Sequence, residues 1–368
     1  MSTKRTSITF SRRSFMKTSS LAGGGLLIGF NLFTACKPGT KPPVDLAELN
    51  YNDFNAFIKI ADNGAVTIFS PNPEIGQGVK TSMPMIIAEE LDVAWKDVYV
   101  QQGILDTNNY TRQVAGGSQS IRFGWNPLRE TGATARQMLI NAAAARWGVS
   151  PSECTTSEGV ISNAAGDKLG YGEVVNEAAV LEIPEELTLK DVKDYKIIGT
   201  DATNVDIDEI ITGKPLFGLD YKTEGMVIAS VMRPPAFGQK LESYDDTASK
   251  SVEGVIEVLQ FGDKIAVLAK DTWSAMKGKK ALKAEWKADS KLESTEDHDT
   301  LLLGLLDGNK FETLRADGNI KKAFAQADKV LERTYESPFL PHNCLEPMNF
   351  YANVTPEKIH LVGTIKTP

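Results

Sequence analysis

The chain has 368 residues, 42% of them hydrophobic and 24% charged, with 3 cysteines and a formal net charge of −8. At roughly 150 residues per domain this is room for two to three domains with sizeable cores, which excludes a disordered tail, a collagen or a disulfide-stapled miniprotein. Cys36, Cys154 and Cys344 are too few for a four-cysteine iron–sulfur cluster and too far apart for a Cys-x-x-Cys redox pair. Any electron chemistry would therefore need another cofactor or subunit. The acidic balance leaves no basic face to neutralise the phosphates of a nucleic acid.

Residues 1–35 hold Lys4, Arg5, Arg12, Arg13 and Lys17 and no acid. The Gly-rich apolar stretch Leu21 to Phe33 is too short and too rich in glycine for a spanning helix, and the layout is that of an export signal. Ser11-Arg12-Arg13-Ser14-Phe15-Met16-Lys17 resembles the twin-arginine signal. Ala35-Cys36 at the end of the apolar run resembles a lipoprotein cleavage box, with Cys36 as the lipidated residue, although Phe33 stands where Leu is usual. An uncleaved or differently cleaved signal is the open alternative. The expectation is a periplasmic protein, touching the membrane only through a lipid anchor, with a Pro-rich linker over 36–50.

Phe57 to Phe69, broken by Asp62-Asn63-Gly64, reads as a β-hairpin. Pro71 to Gly78 then leads into a helix near Thr81 to Leu91, with Pro84 in its first turn. A strand follows at 97–102, and a second glycine loop, Ala115 to Ser120, precedes an Ala-rich helix over roughly 126–147. Short strands and one helix are predicted over 155–195, and a connector over 201–213. A second module begins near Lys214, with strands at 226–233, 255–261 and 265–270 and a helix at about 271–281. The stretch 291–319 is polar and acidic and reads as a linker, with one helical run at Leu301 to Leu306. A third block over 320–368 opens with a helix and continues in strands at 329–337, 347–354 and 359–365. The pattern defines an α+β fold.

Catalytic constellations are scarce. There is no Gly-x-Ser-x-Gly elbow and no His-Glu-x-x-His, and His298, His342 and His360 are scattered. Gly76-Gln77-Gly78-Val79-Lys80-Thr81 lacks the spacing of a P-loop. What remains is two loops between a β segment and a helix, Glu74 to Gly78 and Gly116-Gly117-Ser118. Their glycines let a ligand approach the backbone, and the amides at a helix start favour an anion such as phosphate. Gln77 adds a donor and an acceptor to the first loop. Pro341 to Asn349 places His342, Cys344 and Glu346 within five positions, a set equally compatible with a solvated turn.

Together these segments resemble the large, molybdenum-cofactor-binding subunit of the xanthine oxidase family, in the exported branch represented by the isoquinoline 1-oxidoreductase beta subunit. The resemblance rests on the twin-arginine signal, on Asn72 through Gly78 continuing to Ala88-Glu89-Glu90-Leu91-Asp92-Val93, and on Gly116-Gly117-Ser118 with Leu128 to Ala133. Lys222 to Val255, with Arg233-Pro234-Pro235-Ala236, is similar to the family's α/β hammerhead domain, and His342, Glu346 and Pro347 match its later pattern. The resemblance implies partial molybdopterin-binding domains at 51–200 and 320–368 and a hammerhead domain at 214–290. It further implies a molybdenum cofactor with a pterin dinucleotide, usually that of cytosine, contacted by Gly76, Gln77 and Gly78 and by Gly117 and Ser118. The implied reaction is hydroxylation of an N-heterocycle or aldehyde with water as oxygen source, electrons leaving through a small subunit with 2Fe–2S clusters.

Two departures qualify the match. Lys366 stands where the family usually has the Gln of Thr-Gln-x-Pro, and the chain spans about half the family length. The later glycine-rich cofactor motif and the catalytic Glu fall outside it, so no catalytic residue is assigned. The first reading is the N-terminal half of an exported molybdenum hydroxylase subunit, acting with a C-terminal half in trans. The alternative is a non-catalytic periplasmic lipoprotein that keeps the hammerhead module for binding or assembly. Under the first reading, incomplete domains should expose apolar surface.

Overall fold

The computed structural model describes residues 51–53, 56–308 and 311–368. The export signal, Cys36 and the linker at 36–50 lie outside the described residues. The chain divides into two units, one running to Lys214 and taking in Thr364–Pro368, the other Pro215–Gly363.

In the first unit β1 (Tyr51–Asp53), β2 (Ile58–Ala61), β3 (Val66–Ser70) and β4 (Val98–Gln102) form one sheet in that spatial order. β2 and β3 make the expected antiparallel hairpin, with Ile58 opposite Ile68 and Ile60 opposite Val66, all buried. β3 and β4 run parallel, from Val66 beside Val98 to Ser70 beside Gln102. A parallel pair needs a crossover between its strands, and α1 (Val79–Leu91) supplies it.

α1 starts earlier than its sequence pattern indicates, so Pro84 stands one turn inside the helix and cannot donate to the Lys80 carbonyl. Burial compensates: Met83, Pro84, Ile86, Ile87, Ala88 and Leu91 are all buried, and packing rather than propensity holds such a helix. α1 ends at Asp92, which takes a left-handed φ of 59° and donates its N–H to the Ala88 and Glu89 carbonyls. α2 (Ser120–Trp147) also starts before the expected 126, and Pro127 lies inside it. It lays the small residues Gly132, Ala133, Ala135, Ala142, Ala143 and Ala144 into the core. β5 (Cys154–Ser157), β6 (Val160–Asn163) and β7 (Lys168–Gly170) form a small antiparallel sheet. α3 (Tyr171–Ala178) follows, and the buried Tyr171 hydroxyl donates to the Leu91 carbonyl at 2.7 Å. α4 (Ile207–Thr212) occupies part of the expected connector.

In the second unit β8 (Ile228–Met232), β10 (Val255–Phe261) and β11 (Lys264–Ala269) form an antiparallel sheet in the order β10-β11-β8. β9 (Gln239–Asp245) pairs with β12 (Lys283–Ala288). Neither was expected. β9 has only two apolar residues, Leu241 and Tyr244, placed out of alternation around the bulge that faces Glu285/Trp286, and β12 alternates Ala284, Trp286 and Ala288 over a single large side chain. Between these strands lie a single turn, α5 (Thr247–Lys250), and α6 (Thr272–Ala281), and Val258, Ile265, Val267 and Leu282 form the core. The predicted linker contains α7 (Thr295–Leu306), started by a Ser294–Asp297 capping box. α8 (Ile320–Gln326) is present, but the strand expected at 329–337 is not: that stretch is exposed and has no strand partner among the described residues. An isolated strand leaves its backbone groups to water. Only β13 (Tyr351–Val354) and β14 (Ile359–Val362) form, as a two-stranded ribbon. Leu314, Tyr335 and Leu345 are at least 90% exposed. No helix among the described residues is long and apolar enough to cross a membrane.

Candidate functional site

Because β3 and β4 are parallel, the loops that leave their C-terminal ends, 71–78 and 103–119, emerge at the same edge of the sheet and each runs into a helix. In open α/β sheets, ligands lie beyond the carboxyl ends of the strands. Amide side chains fasten the two loops together, those of Asn72 and Gln113 buried and that of Gln102 exposed. Gln102 Nε2 donates to the Ser70 and Asn72 carbonyls at 3.0 and 2.9 Å. Gln113 Nε2 donates to the Pro71 and Ile104 carbonyls at 3.0 and 2.7 Å, and its Oε1 accepts from Asp106 N at 2.8 Å. Asn72 Nδ2 donates to the Val114 carbonyl and to Ser120 Oγ, both at 3.0 Å. Asn72 is 3% exposed, and its Oδ1 has no hydrogen-bond partner. Lys366 joins this place through its backbone: Ala115 N donates to the Lys366 carbonyl at 2.9 Å.

Gly76, Gly78, Gly117 and Ser118 all have left-handed φ, at 98°, 82°, 60° and 53°. A Cβ at Gly76 or Gly78 would meet nothing within 4 Å, so these glycines serve the turn and leave open space above it. Gln77 does not face a ligand as its sequence position suggests. Its Oε1 accepts from Ile75 N at 2.7 Å and its Nε2 donates to the Pro73 carbonyl at 3.1 Å, so its side chain folds back on its own loop. Nor are the amides at the start of α1 open to a phosphate. Glu74 Oε1 accepts from Gly76 N and Gly78 N at 2.7 and 3.0 Å, and Oε2 accepts from Lys80 N at 2.9 Å. The start of α2 has no side-chain cap and no acid in its first turn. Beside it Arg112 Nη2 donates to Gln119 Oε1 at 2.6 Å, and the Arg112 and Arg122 guanidinium groups lie 5.0 and 4.8 Å from the centre of the Phe123 ring.

The His342–Glu346 set sits in the second unit. Glu346 Oε1 accepts from Leu219 N at 3.0 Å and from Asn349 Nδ2 at 2.8 Å, and Cys344 is exposed. Among the described residues no group of three or more His, Cys, Asp or Glu could hold a metal ion.

A second polar cluster, hidden in the motif Ala88 to Val93, is structural. Glu89 and Glu90 are fully buried. Glu89 Oε2 accepts from the successive amides of Lys196, Ile197 and Ile198 at 2.9, 2.7 and 3.0 Å, and Oε1 from Lys190 Nζ at 3.1 Å. Glu90 pairs with Arg129 at 2.8 Å, and Asp92 with Lys190 at 2.8 Å and Lys196 at 3.2 Å. A cleft of about 300 Å³ beside Asp92 and Lys196 includes no glycine-loop residue.

Burial by itself raises the Glu89 carboxyl, but the Ile197 and Ile198 amides and the Lys190 ammonium outweigh it and hold it below 4.5. Burial likewise opposes ionisation of Asp92, and Lys190, the Thr156 hydroxyl and Lys196 together bring it below 3.8. Because both folded values are depressed, this stabilisation is complete above those unfolded values and is lost as the pH falls through the folded ones. Urea unfolding midpoints should therefore be level from pH 7 to about 5 and drop below about 4. Replacement of Lys190 by Met should flatten that drop.

An α+β protein with two glycine loops at one sheet edge is the class this architecture defines. The family model described as a molybdopterin cofactor-binding domain matches residues 7–231, more than half of the chain, and the chain belongs to that family. It is 28% identical to the membrane-bound aldehyde dehydrogenase (pyrroloquinoline-quinone) of Gluconacetobacter polyoxogenes over 95% of its length and 47% of that protein's. To a nicotinate dehydrogenase subunit of Pseudomonas putida it is 28% identical, over 85% of this chain and 27% of that one. To the beta subunit of isoquinoline 1-oxidoreductase of Brevundimonas diminuta it is 29% identical, over 65% and 36%. The resemblance to molybdenum hydroxylase large subunits of the xanthine oxidase family is thereby borne out. The chain spans half or less of the length of these relatives.

Proposed function

We propose that this chain is a cofactor-binding part of the molybdenum subunit of an exported oxidoreductase, acting together with the further length that its relatives possess. The observation that carries the reading is the joining of two glycine loops at the carboxyl ends of β3 and β4 by Asn72, Gln102 and Gln113, within a chain of the molybdopterin-binding family. The residues present fit such a group. Open space lies above Gly76, Gly78 and Gly116, and the unpartnered Asn72 Oδ1 at the loop junction suits a ligand that brings hydrogen-bond donors. Gly117 and Ser118 would hold the group by backbone contact and Gly76 and Gly78, whose amides are taken by Glu74, would let it approach the first loop closely, with Asn72 and Gln113 keeping the loops in register.

When bound, a molybdenum–pterin group supplies two-electron oxidation, in this family with water as the oxygen source. On this reading the pterin carries a cytosine dinucleotide, the substrate is an N-heterocycle or aldehyde, and electrons pass to a small 2Fe–2S subunit. On the same reading 214–290 is the hammerhead module, and the exposed apolar side chains beyond it support contact with further polypeptide. The basic start and Arg12-Arg13 support export by the twin-arginine route to the periplasm, with Cys36 as the lipid anchor.

The test is metal and pterin analysis of the purified chain, alone and co-expressed with the downstream reading frame. Molybdenum and a pterin dinucleotide co-purifying in near-equal amounts with the co-expressed chain is the expected result. Neither in either sample would overturn the reading.

A further inference from the structure

We infer that Glu74 is a built-in anion that closes the start of α1 to phosphate and positions the first glycine loop, so that this loop meets its ligand through neutral groups alone. The inference deepens the cofactor-site reading but is tested without the cofactor.

A helix start attracts an anion because its first amides have no partner within the helix. In this loop the amides of Gly76, Gly78 and Lys80, which would face such an anion, are already used. Both oxygens of one carboxylate take the amides of Gly76, Gly78 and Lys80 at 2.7, 3.0 and 2.9 Å, and Gln77 Oε1 takes the amide of Ile75 at 2.7 Å. The amides of Thr81 and Ser82 turn to the Gly78 carbonyl. A second, independent feature agrees. Lys80, the cation nearest a bound phosphate if this were a phosphate loop, is paired with Asp206 at 2.7 Å.

An incoming phosphate would exchange one anion for another and would compete with a group tethered two residues away, at an effective concentration in the millimolar range or above. The carboxylate therefore wins unless it is removed. By taking the amides on either side of Gln77, it also fixes the left-handed turns at Gly76 and Gly78. Glu74 is thus a positioning residue, acting through the loop backbone.

The test follows amide resonances of the full ¹⁵N-labelled chain during titration with inorganic pyrophosphate and, separately, acetate. In the unaltered chain the Gly76, Gly78 and Lys80 resonances should stay in place. In Glu74→Ala they should move saturably with either anion, pyrophosphate binding at least about tenfold more tightly than to the unaltered chain. Should Glu74→Ala fail to fold, Glu74→Gln, which keeps the shape and removes the charge, is titrated in its place and should show the same gain. Saturable movement in the unaltered chain would make the start of α1 an open phosphate site and overturn the inference. Absence of any response in the folded variant would equally overturn it, since the carboxylate would then not be standing in an anion's place. Neither result depends on whether the chain carries molybdenum.

Discussion

Replacing Glu89 by alanine should cost about 3–5 kcal/mol, the range for removing one partner from a buried charge network. The carboxylate is inaccessible to water and ties three consecutive amides and the Lys190 ammonium to α1. Without it, those donors face a cavity, and Lys190 keeps only Asp92 as an ionic partner. The conservative Glu89→Gln leaves an acceptor but turns an amide toward cations, and should fall between the two. A useful contrast is Glu177→Ala, which breaks an ion pair with Arg146 in which both side chains are well exposed, worth about 0–1 kcal/mol. Urea midpoints at pH 7 check the ranking. Hydrogen exchange should also show the amides of Lys196, Ile197 and Ile198 losing protection in Glu89→Ala. A loss below about 1 kcal/mol would mean that the 190–198 segment is not held this way.

Gly132→Ala should also destabilise, by about 1–3 kcal/mol, against the helix preference for alanine of about 1 kcal/mol. The decisive quantity is the approach of α1 to α2. A Cβ at Gly132 would overlap the Ile87 carbonyl oxygen and come within 2.9 Å of Glu90 Cβ and 3.1 Å of Leu91 N. Two of these are backbone atoms, which cannot rotate away, so the helices themselves must separate. Gly304 in α7 gives the opposite sign: a Cβ there meets nothing within 4 Å, and Gly304→Ala should stabilise by up to about 1 kcal/mol. Thermal unfolding of the two variants side by side tests the pair. A more stable Gly132→Ala would show that the helices do not pack this closely.

Elements with strong local periodicity were legible from residues alone. The β2–β3 hairpin, β4, β10 and α6 lie where apolar runs and turn residues place them, because each carries its own local pattern between clear breaks. β9 and β12 were not, since β9 has only Leu241 and Tyr244, out of alternation, and β12 alternates around Trp286 with nothing apolar larger than alanine beside it. The stretch 329–337 shows the converse, β-favouring residues with no partner strand. At the site, the two loops and their left-handed glycines could be read, but the hydrogen bonds that fill and fasten them could not. Nothing local says that Glu74 bends onto its own loop or that Gln77 turns inward. Glu89 and Glu90 resemble a solvated acidic pair, as most such pairs are. Their burial depends on Lys190, whose ammonium meets Glu89 from 101 positions away.

The bond from Ala115 N to the Lys366 carbonyl has a consequence in time. At about 5–20 residues per second, Lys366 leaves the ribosome roughly 10–50 s after Ala115. Throughout that interval the strands, α1 and α2 can assemble, while the second glycine loop still lacks the segment that closes it. The candidate site is thus the last portion of its unit to be finished, an order imposed by the path of the chain and not by the strength of any contact.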